Sequence, residues 1–282
     1  MVRKPLRTTA AVIFLLLLLP SFVFSQPFEF GIAPATSVAR IENHLSVFSK
    51  MLGEAIDRPV VVKSRKDFPT FREALRQEAF DMALIQPFDY IKLRQSGSSY
   101  VPFARLETPF KAIVVVSNDN IHTLEDLKGK TVAFPPKDAA VTILAMHKLH
   151  QLGYGEQDFQ IDYYSEHNSC IQALLIGTAK ACVTVNELLH LLTDGENLKL
   201  RVIQESDVVP NAMLVLKGSA AKYREQLIKF VMDYNDTPQG REYYKLFAVT
   251  GYVPAQPSDY DVVEAILDEH NRIHNTLTEN AK

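Results

Sequence analysis

The sequence predicts an α/β protein with largely parallel strands, arranged as two lobes. Short runs rich in β-branched residues alternate with amphipathic helical segments along almost the whole chain, which is typical of α/β folds. At 282 residues, with 47% hydrophobic and 22% charged side chains, the composition is that of a globular protein long enough for two modest domains. A second α/β unit starts within the chain at TLEDLKGKTVAF. These observations favour two lobes over one.

The first 25 residues have the pattern of a secretory signal peptide. Three basic residues precede the apolar run AAVIFLLLLLP, and Val23 and Ser25 occupy the −3 and −1 positions before Gln26. The run is too short for a comfortable membrane span, and no later segment approaches the ~18 apolar residues that a span needs. Removing 25 of 282 residues leaves 257, and losing three positive charges takes the formal net charge from −3 to −6. We expect a periplasmic protein that does not bind nucleic acid.

The first α/β unit follows the predicted cleavage point. FEFGIA, PVVVKS and DMALIQP read as strands, and TFREALRQEAF as a helix between the second and the third. Pro87 ends the third strand and opens another helix, FDYIKLR, and KAIVVVS then follows as a strand without a helix of its own. The helix after the first strand carries its apolar residues on one face: Val38, Ile41, Leu45, Phe48 and Leu52.

The second unit has predicted strands at 131–134, 160–164 and 181–185. After Pro210 the chain adds the strand AMLVLKG and finishes with the helices AKYREQLIKFVMDYN and DYDVVEAILDEHNRIH. We therefore expect lobe I to comprise 26–113 and 209–282, and lobe II to comprise 114–208, with two crossing strands as the hinge. A cleft between such lobes is the expected ligand site.

The stretch TVAFPPKDAAVTILAMHKL passes from a strand through a short turn into a helix that ends before Gly153. Backbone N–H groups at such a helix start can bind an anion. Asp138 stands where an N-cap is expected, and its carboxylate would then occupy those N–H groups itself. The pattern leaves two interpretations open, an anion cradle and a capped helix that binds nothing.

Cys170 and Cys182 are the only cysteines of the chain. In an exported protein a pair favours a disulfide. However, Cys170 falls in the first turn of a predicted helix and Cys182 near the start of the following strand, so most of a helix length should separate the two sulfur atoms. We therefore predict two free, packed thiols.

Five stretches in order carry a resemblance to a known family: FGIAP, DMALIQPFDYI, TLEDLKGKTVAF, SEHNSCIQALLIGTAKACVTV and FAVTGYVPAQPSDYDVV. Together they resemble the type II periplasmic solute-binding proteins, and within them the phosphate, phosphite and phosphonate (PhnD-like) group of ABC transporters. The resemblance covers essentially the whole mature chain. It implies the type II binding-protein fold, in which two α/β lobes are joined by crossing hinge strands.

The resemblance also implies site residues. The family's cleft aromatic matches Tyr90, which otherwise reads as a half-buried core tyrosine. Its histidine matches His167, just before a helix expected to start at Asn168 or Ser169; a bond to a neighbouring carbonyl is the alternative role. Its acidic residue matches Glu187. A carboxylate repels an anion, so Glu187 suits a ligand with a cationic or hydroxyl group, such as a zwitterion.

Two positions depart from the family pattern. The Ser/Thr-rich phosphonate cradle aligns with KDAAVT, so that Asp138 and two alanines replace the hydroxyls, and a second acidic ligand of the family is Asn211 here. Lys137 pairs with the ligand, forms an ion pair with Asp138 or Glu187, or is an ordinary surface lysine, and the sequence does not choose between them. Thr36 caps the first helix, contacts the ligand, or does both.

We therefore predict an exported solute-binding protein that closes on a small anionic or zwitterionic ligand for the permease of an ABC transporter. The alternative is a periplasmic sensor of an oxyanion or arsenite that signals to a membrane histidine kinase, with Cys170 as a soft ligand at a helix start. No nucleophile elbow, metal-spaced histidine pair or Gly-rich phosphate loop is present, so neither an enzyme, a cofactor nor a metal is expected. We expect a monomer.

Overall fold

The fold is that of a computed structural model, which describes residues 26–34, 38–165, 167–193, 199–246 and 248–280. The predicted signal peptide and Thr36 lie outside the described residues, as does the side chain of His167. Within these ranges no helix has the length and hydropathy needed to cross a bilayer.

The first lobe is built on a six-stranded mixed sheet. Its strands are β1 Phe28–Ile32, β2 Val60–Lys63, β3 Met82–Ile85, β4 Val101–Leu106, β10 Met213–Leu216 and β11 Tyr252–Pro254. Their order in the sheet is β11-β4-β10-β3-β1-β2. β1 is parallel to β2 and β3, whereas β10 is antiparallel to β3 and β4, and β11 is antiparallel to β4.

Local sequence signals explain how the helices of this lobe begin. The helices are α1 Val38–Ile56, α2 Phe68–Arg76, α3 Pro87–Gln95, α7 Arg224–Asn235, α8 Pro238–Leu246 and α9 Asp261–Asn280. The Asp67 carboxylate caps α2 by accepting a hydrogen bond from the Thr70 backbone N–H at 2.8 Å, and α3 begins at Pro87, whose missing N–H costs nothing there. In FGIAP, a Cβ at Gly31 would lie 2.5 Å from the Phe80 ring, so only glycine fits.

The second lobe is built on a five-stranded mixed sheet. Its strands are β5 Ala112–Val116, β6 Thr131–Phe134, β7 Gln160–Tyr163, β8 Ala181–Val185 and β9 Arg201–Glu205. Its helices are α4 Ala140–Gln151, α5 His167–Leu175 and α6 Asn186–Thr193. The strand order is β7-β6-β8-β5-β9; β6 is parallel to β7 and β8, and β5 is antiparallel to β8 and β9.

The chain crosses between the sheets twice, after β4 and before β10. At the crossing, Phe110 and Val209 exchange two backbone N–H···O=C hydrogen bonds of 2.9 Å each. The Leu106 N–H also donates to the Ala212 carbonyl at 2.9 Å. The two crossings therefore form one short paired hinge. The predicted lobe limits at 113 and 209 lie beside this hinge and stay predictions.

Side chains from both lobes meet in one buried hydrophobic cluster. Phe88, Tyr260 and Ile266 of the first lobe belong to the same cluster as Val141 and Leu144 of α4. α4 packs against α9 and contacts α3. The lobes are thus in direct apolar contact at this face of the molecule.

The expectation of largely parallel strands is wrong in detail. Among the named strands of the described chain, five of the nine pairings are antiparallel. The antiparallel pairings all involve β5, β10 or β11. The hydrophobic pattern of a single strand does not give its direction in the sheet, because that direction depends on the path of the chain between strands. Three strands, β4, β9 and β11, were also not predicted.

The prediction of two free thiols is wrong, because Cys170 and Cys182 form a disulfide with their Cα atoms 5.8 Å apart. The helix continues only from Cys170 to Leu175 and rises about 1.5 Å per residue. The extended chain that returns to Cys182 advances about 3.3 Å per residue, so a few residues are enough to come back level with Cys170. Both cysteines are fully buried, so Cys170 does not offer a thiol to a ligand. Such a bond is typical of exported proteins.

Replacing both cysteines, in Cys170→Ala/Cys182→Ala, should lower the free energy of unfolding by about 3 kcal/mol, because the disulfide closes a short loop in the unfolded chain. Urea denaturation with and without reductant measures this. Reductant should destabilise the native protein and leave the double variant unchanged. Equal midpoints for the oxidised and reduced native protein would contradict the prediction.

Candidate functional site

Three predicted site segments follow neighbouring parallel strands of the second sheet. Lys137 and Asp138 follow β6, His167 follows β7, and Glu187 follows β8. Because β6 is parallel to both β7 and β8, the carboxyl ends of the three strands lie at one edge of the sheet. Ligands of open α/β sheets bind at such an edge. The fold therefore brings these segments, far apart in sequence, to one edge.

The turn after β6 starts α4 without a side-chain cap. The N-cap residue is Ala139, in extended conformation, and among the described residues no side-chain cap accepts a hydrogen bond from the first turn. The Ala139 N–H donates to the Pro136 carbonyl at 2.9 Å, and the Thr142 hydroxyl donates to the Pro135 carbonyl at 3.3 Å. Asp138 is thus not the cap that the sequence pattern suggested. The first N–H groups of α4 keep the capacity to bind an acceptor.

Asp138 instead forms an ion pair with Arg72 of the other lobe. The Arg72 Nη1 atom contacts the Asp138 Oδ2 atom, while Arg72 Nε donates to Asp89 Oδ1 at 2.9 Å. Arg72 lies on α2 and Asp89 in the first turn of α3, so both belong to the first lobe. One guanidinium therefore bridges a carboxylate in its own lobe and a carboxylate in the second lobe.

The two carboxylates of this bridge differ in environment. The side chain of Asp89 is 11% exposed and that of Asp138 is 57% exposed. Burial raises the pKa of the Asp89 carboxyl above its usual value, while the positive charges of Arg72 and Lys92 act to lower it. Asp89 is thus a buried partner of Arg72, whereas Asp138 is an exposed one.

Lys137 extends in another direction from the same turn. Its Nζ atom lies 3.7 Å from Glu156 Oε1 and 5.9 Å from the centre of the Tyr163 ring. The ion pair expected with Asp138 or Glu187 is thus replaced by one with Glu156.

Glu187 is half-buried in the first turn of α6. The helix after β7 begins at His167, one residue before the earliest start expected from the sequence.

Asn211 and Tyr90 lie at the hinge and are joined through Tyr260. Asn211 Nδ2 donates to the Thr108 carbonyl at 2.9 Å, and Asn211 Oδ1 accepts from the Ala212 N–H at 2.6 Å. The Tyr260 hydroxyl donates to the Asn211 carbonyl at 3.0 Å, and its ring meets the Tyr90 ring edge-on at 5.5 Å. Tyr90 is 2% exposed, and burial raises the pKa of its hydroxyl. Both residues therefore contribute to the hinge.

Sequence reasoning missed Arg72, Asp89 and Tyr260. Arg72 reads as an ordinary surface residue of an amphipathic helix, and an acidic residue such as Asp89 is common in the first turn of any helix. Tyr260 lies at the start of the predicted last helix and in a segment that carries the family resemblance, and neither pattern marks it as a hinge residue. No periodic signal marks any of the three, because their partners come from elsewhere in the chain.

Among the described residues, no group of three or more His, Cys, Asp or Glu side chains has the arrangement to hold a metal ion. Asp89 and Asp138 lie where the two lobes meet, at what we call the interlobe face, and both pair with Arg72. The chemistry of this face is that of ion pairing and hydrogen bonding.

Comparison with known families gives one match over most of the chain. The family model described as "ABC transporter, phosphonate, periplasmic substrate-binding protein" matches residues 30–260. The matched range contains all the predicted site residues and both sheets except the first two residues of β1.

Solved structures share the two-lobed fold at low identity. PhnD1 from Prochlorococcus marinus, in complex with methylphosphonate, has a TM-score of 0.76 at 16% identity, covering 86% of this chain and 98% of that chain. A binding protein component of an ABC phosphonate transporter from Pseudomonas aeruginosa has a TM-score of 0.69 at 15% identity, covering 92% and 100%. A Xanthomonas citri protein bound to ATP has a TM-score of 0.70 at 16% identity, covering 89% and 99%. Identities this low establish the fold alone.

Arg72→Gln should lower the free energy of unfolding by about 3 kcal/mol at neutral pH, because it leaves the Asp89 carboxylate buried without its cation. The pKa of Asp89, already raised by burial, would rise further. A carboxyl with a raised pKa in the folded state destabilises the fold when ionised, so the loss should shrink as the pH falls through that raised pKa. Denaturation by urea at several pH values measures this.

The matched control is Arg76→Gln on the same helix, since Arg76 is exposed and its partner is the exposed Glu73. Its stability should stay within about 0.5 kcal/mol of the native protein at every pH. A pH-independent loss in Arg72→Gln would contradict the assigned role of Asp89.

Asn211→Asp should destabilise the hinge by about 2 kcal/mol at neutral pH, because a carboxylate oxygen would face the Thr108 carbonyl without a proton between them. At acidic pH the protonated carboxyl can donate that hydrogen bond, so the loss should diminish. Asn118→Asp is the control, since the Asn118 side chain accepts from the Asn120 N–H at 2.8 Å and aspartate can do the same. Equal stabilities of Asn211→Asp and the native protein at neutral pH would refute this.

Proposed function

We propose, since the chain belongs to the phosphonate-binding family of periplasmic ABC transporter substrate-binding proteins, that it captures a small anionic or zwitterionic oxyanion between its lobes. Closure about the paired hinge would retain the ligand, and the closed form would be recognised by a membrane permease. The ligand class and the permease partner are our inference from the family and from the geometry of the interlobe face.

The observation that carries this proposal is the start of α4. Its first turn has no side-chain cap and stands at the carboxyl edge of the second sheet. Uncapped N–H groups with the positive end of a helix dipole favour an oxyanion. His167 and Glu187 follow the two strands next to β6, and we propose both, with Lys137, as further ligand contacts. Thr36, Tyr90 and Asn211 keep this role as predictions.

The residues of the turn favour a zwitterion over a simple phosphonate. Ala139 and Ala140 supply no hydroxyl donors, and Asp138 adds a negative charge at the place where the anion would bind. A second carboxylate, Glu187, belongs to the same edge. A ligand with an amino group as well as an acidic group would meet both requirements. We therefore expect weak binding of methylphosphonate, the ligand of the Prochlorococcus marinus protein.

A sensor that signals to a histidine kinase is the alternative partner assignment. Its arsenite form relied on Cys170 as a thiol, and the buried disulfide removes that thiol. We propose the transporter role and a monomer. We also propose no catalytic activity, because Asp89 and Asp138 pair with an arginine and not with a nucleophile.

A thermal-shift screen of the mature protein should show a larger shift with 2-aminoethylphosphonate than with methylphosphonate, phosphate, phosphite, sulfate or arsenite. A ligand at ~100 times its dissociation constant adds about 2.7 kcal/mol of stability. Glu187→Gln should reduce the aminophosphonate shift. Glu225→Gln is the matched control, since Glu225 is exposed in the first turn of α7. The absence of a shift with every compound would overturn the proposed ligand class.

A further inference from the structure

Contacts within the first lobe hold the Arg72 side chain in place. Its Nη1 atom points to the second lobe. Its Nε edge is taken by Asp89, which lies buried at the start of α3, and its guanidinium carbon lies 5.8 Å from the centre of the Phe68 ring. The side chain is only 19% exposed. A guanidinium oriented in this way is a preformed binding site for one more acidic group, to which it donates hydrogen bonds.

In this structure that acidic group is the carboxylate of Asp138, which comes from the second lobe. Because the Asp138 side chain is more than half exposed, the pair is a surface ion pair that contributes little net stability. A ligand's acidic group can therefore replace Asp138 on Arg72 at small cost. Asp89, which is buried, stays with Arg72.

The charges of this cluster decide which ligands can make the exchange. Arg72 carries one positive charge against two negative charges, those of Asp89 and Asp138. A purely anionic ligand that displaces Asp138 leaves an unpaired carboxylate close to a second anion, which is repulsive. A ligand with both an acidic group and an ammonium group leaves each negative group beside a positive one, because Arg72 contacts both Asp89 and the ligand's acidic group while the ammonium group takes Asp138.

We propose that Arg72 and Asp138 form an exchangeable ion pair that selects zwitterionic ligands. The ligand's phosphonate or carboxylate group binds Arg72, and its ammonium group binds Asp138. This inference rests on the proposed solute-binding function and adds a cation of α2 to the ligand contacts. The ligand class is a short aminophosphonate or amino acid, which carries one acidic group and one ammonium group.

Isothermal titration of Asp138→Asn with two probes tests the exchange, because the expected changes have opposite signs. Affinity for 2-aminoethylphosphonate should fall about tenfold, since its ammonium group loses a charged partner. Affinity for methylphosphonate should rise about tenfold, since Arg72 becomes available and a repulsive charge is removed. Glu73→Gln on α2 removes the same charge at an exposed position and should change neither affinity.

A second variant tests Arg72 without leaving a buried carboxylate unpaired. Arg72→Gln/Asp89→Asn removes both partners of the buried pair, so the fold should be retained, and affinity for both probes should fall. If Asp138→Asn leaves both affinities unchanged or moves them in the same direction while the native protein binds a probe, the exchange is wrong and the proposed function stands. If neither the native protein nor Asp138→Asn binds either probe, both proposals fail.

Discussion

The paired hinge is the constraint on which the rest of this structure depends. Two backbone hydrogen bonds between Phe110 and Val209 join the segments that connect the lobes, and they fix the place about which the two sheets can move. The Asn211 side chain ties one crossing segment to the other through the Thr108 carbonyl. Tyr260 then connects this hinge to the first-lobe core, so rotation of one lobe must be absorbed within a few residues.

Everything at the interlobe face follows from that geometry. The hinge sets the carboxyl edge of β7, β6 and β8 opposite α2 and α3, and so places Asp138 within reach of Arg72. The buried Asp89 fixes the direction of the guanidinium. The interlobe face thus combines a rigid cation, an exchangeable carboxylate and an uncapped helix start, a combination suited to small charged ligands rather than to apolar ones.

Much of the fold could be predicted because its signals are local. The strands β6 and β8 have the predicted bounds, since β-branched runs flanked by turn residues need no tertiary information. α4 covers the predicted apolar periodicity and ends before Gly153. Strand direction and the strands β4, β9 and β11 were not predictable in this way, because pairing across a sheet is decided by distant segments. The disulfide was missed for a similar reason, since helix and strand advance by different amounts per residue.

The sequence by itself determined the two-lobed α/β class, the order of elements and the family, because these depend on periodicity, turn chemistry and short motifs. It also identified the turn at Lys137 and Asp138 as a place to examine. Only the tertiary structure decided what Asp138 does. An aspartate before a helix has the same sequence pattern whether it caps that helix or crosses to another lobe, and the choice depends on an arginine 66 residues earlier in the chain. Electrostatic partners are selected by proximity in the folded molecule, and proximity is set by the hinge.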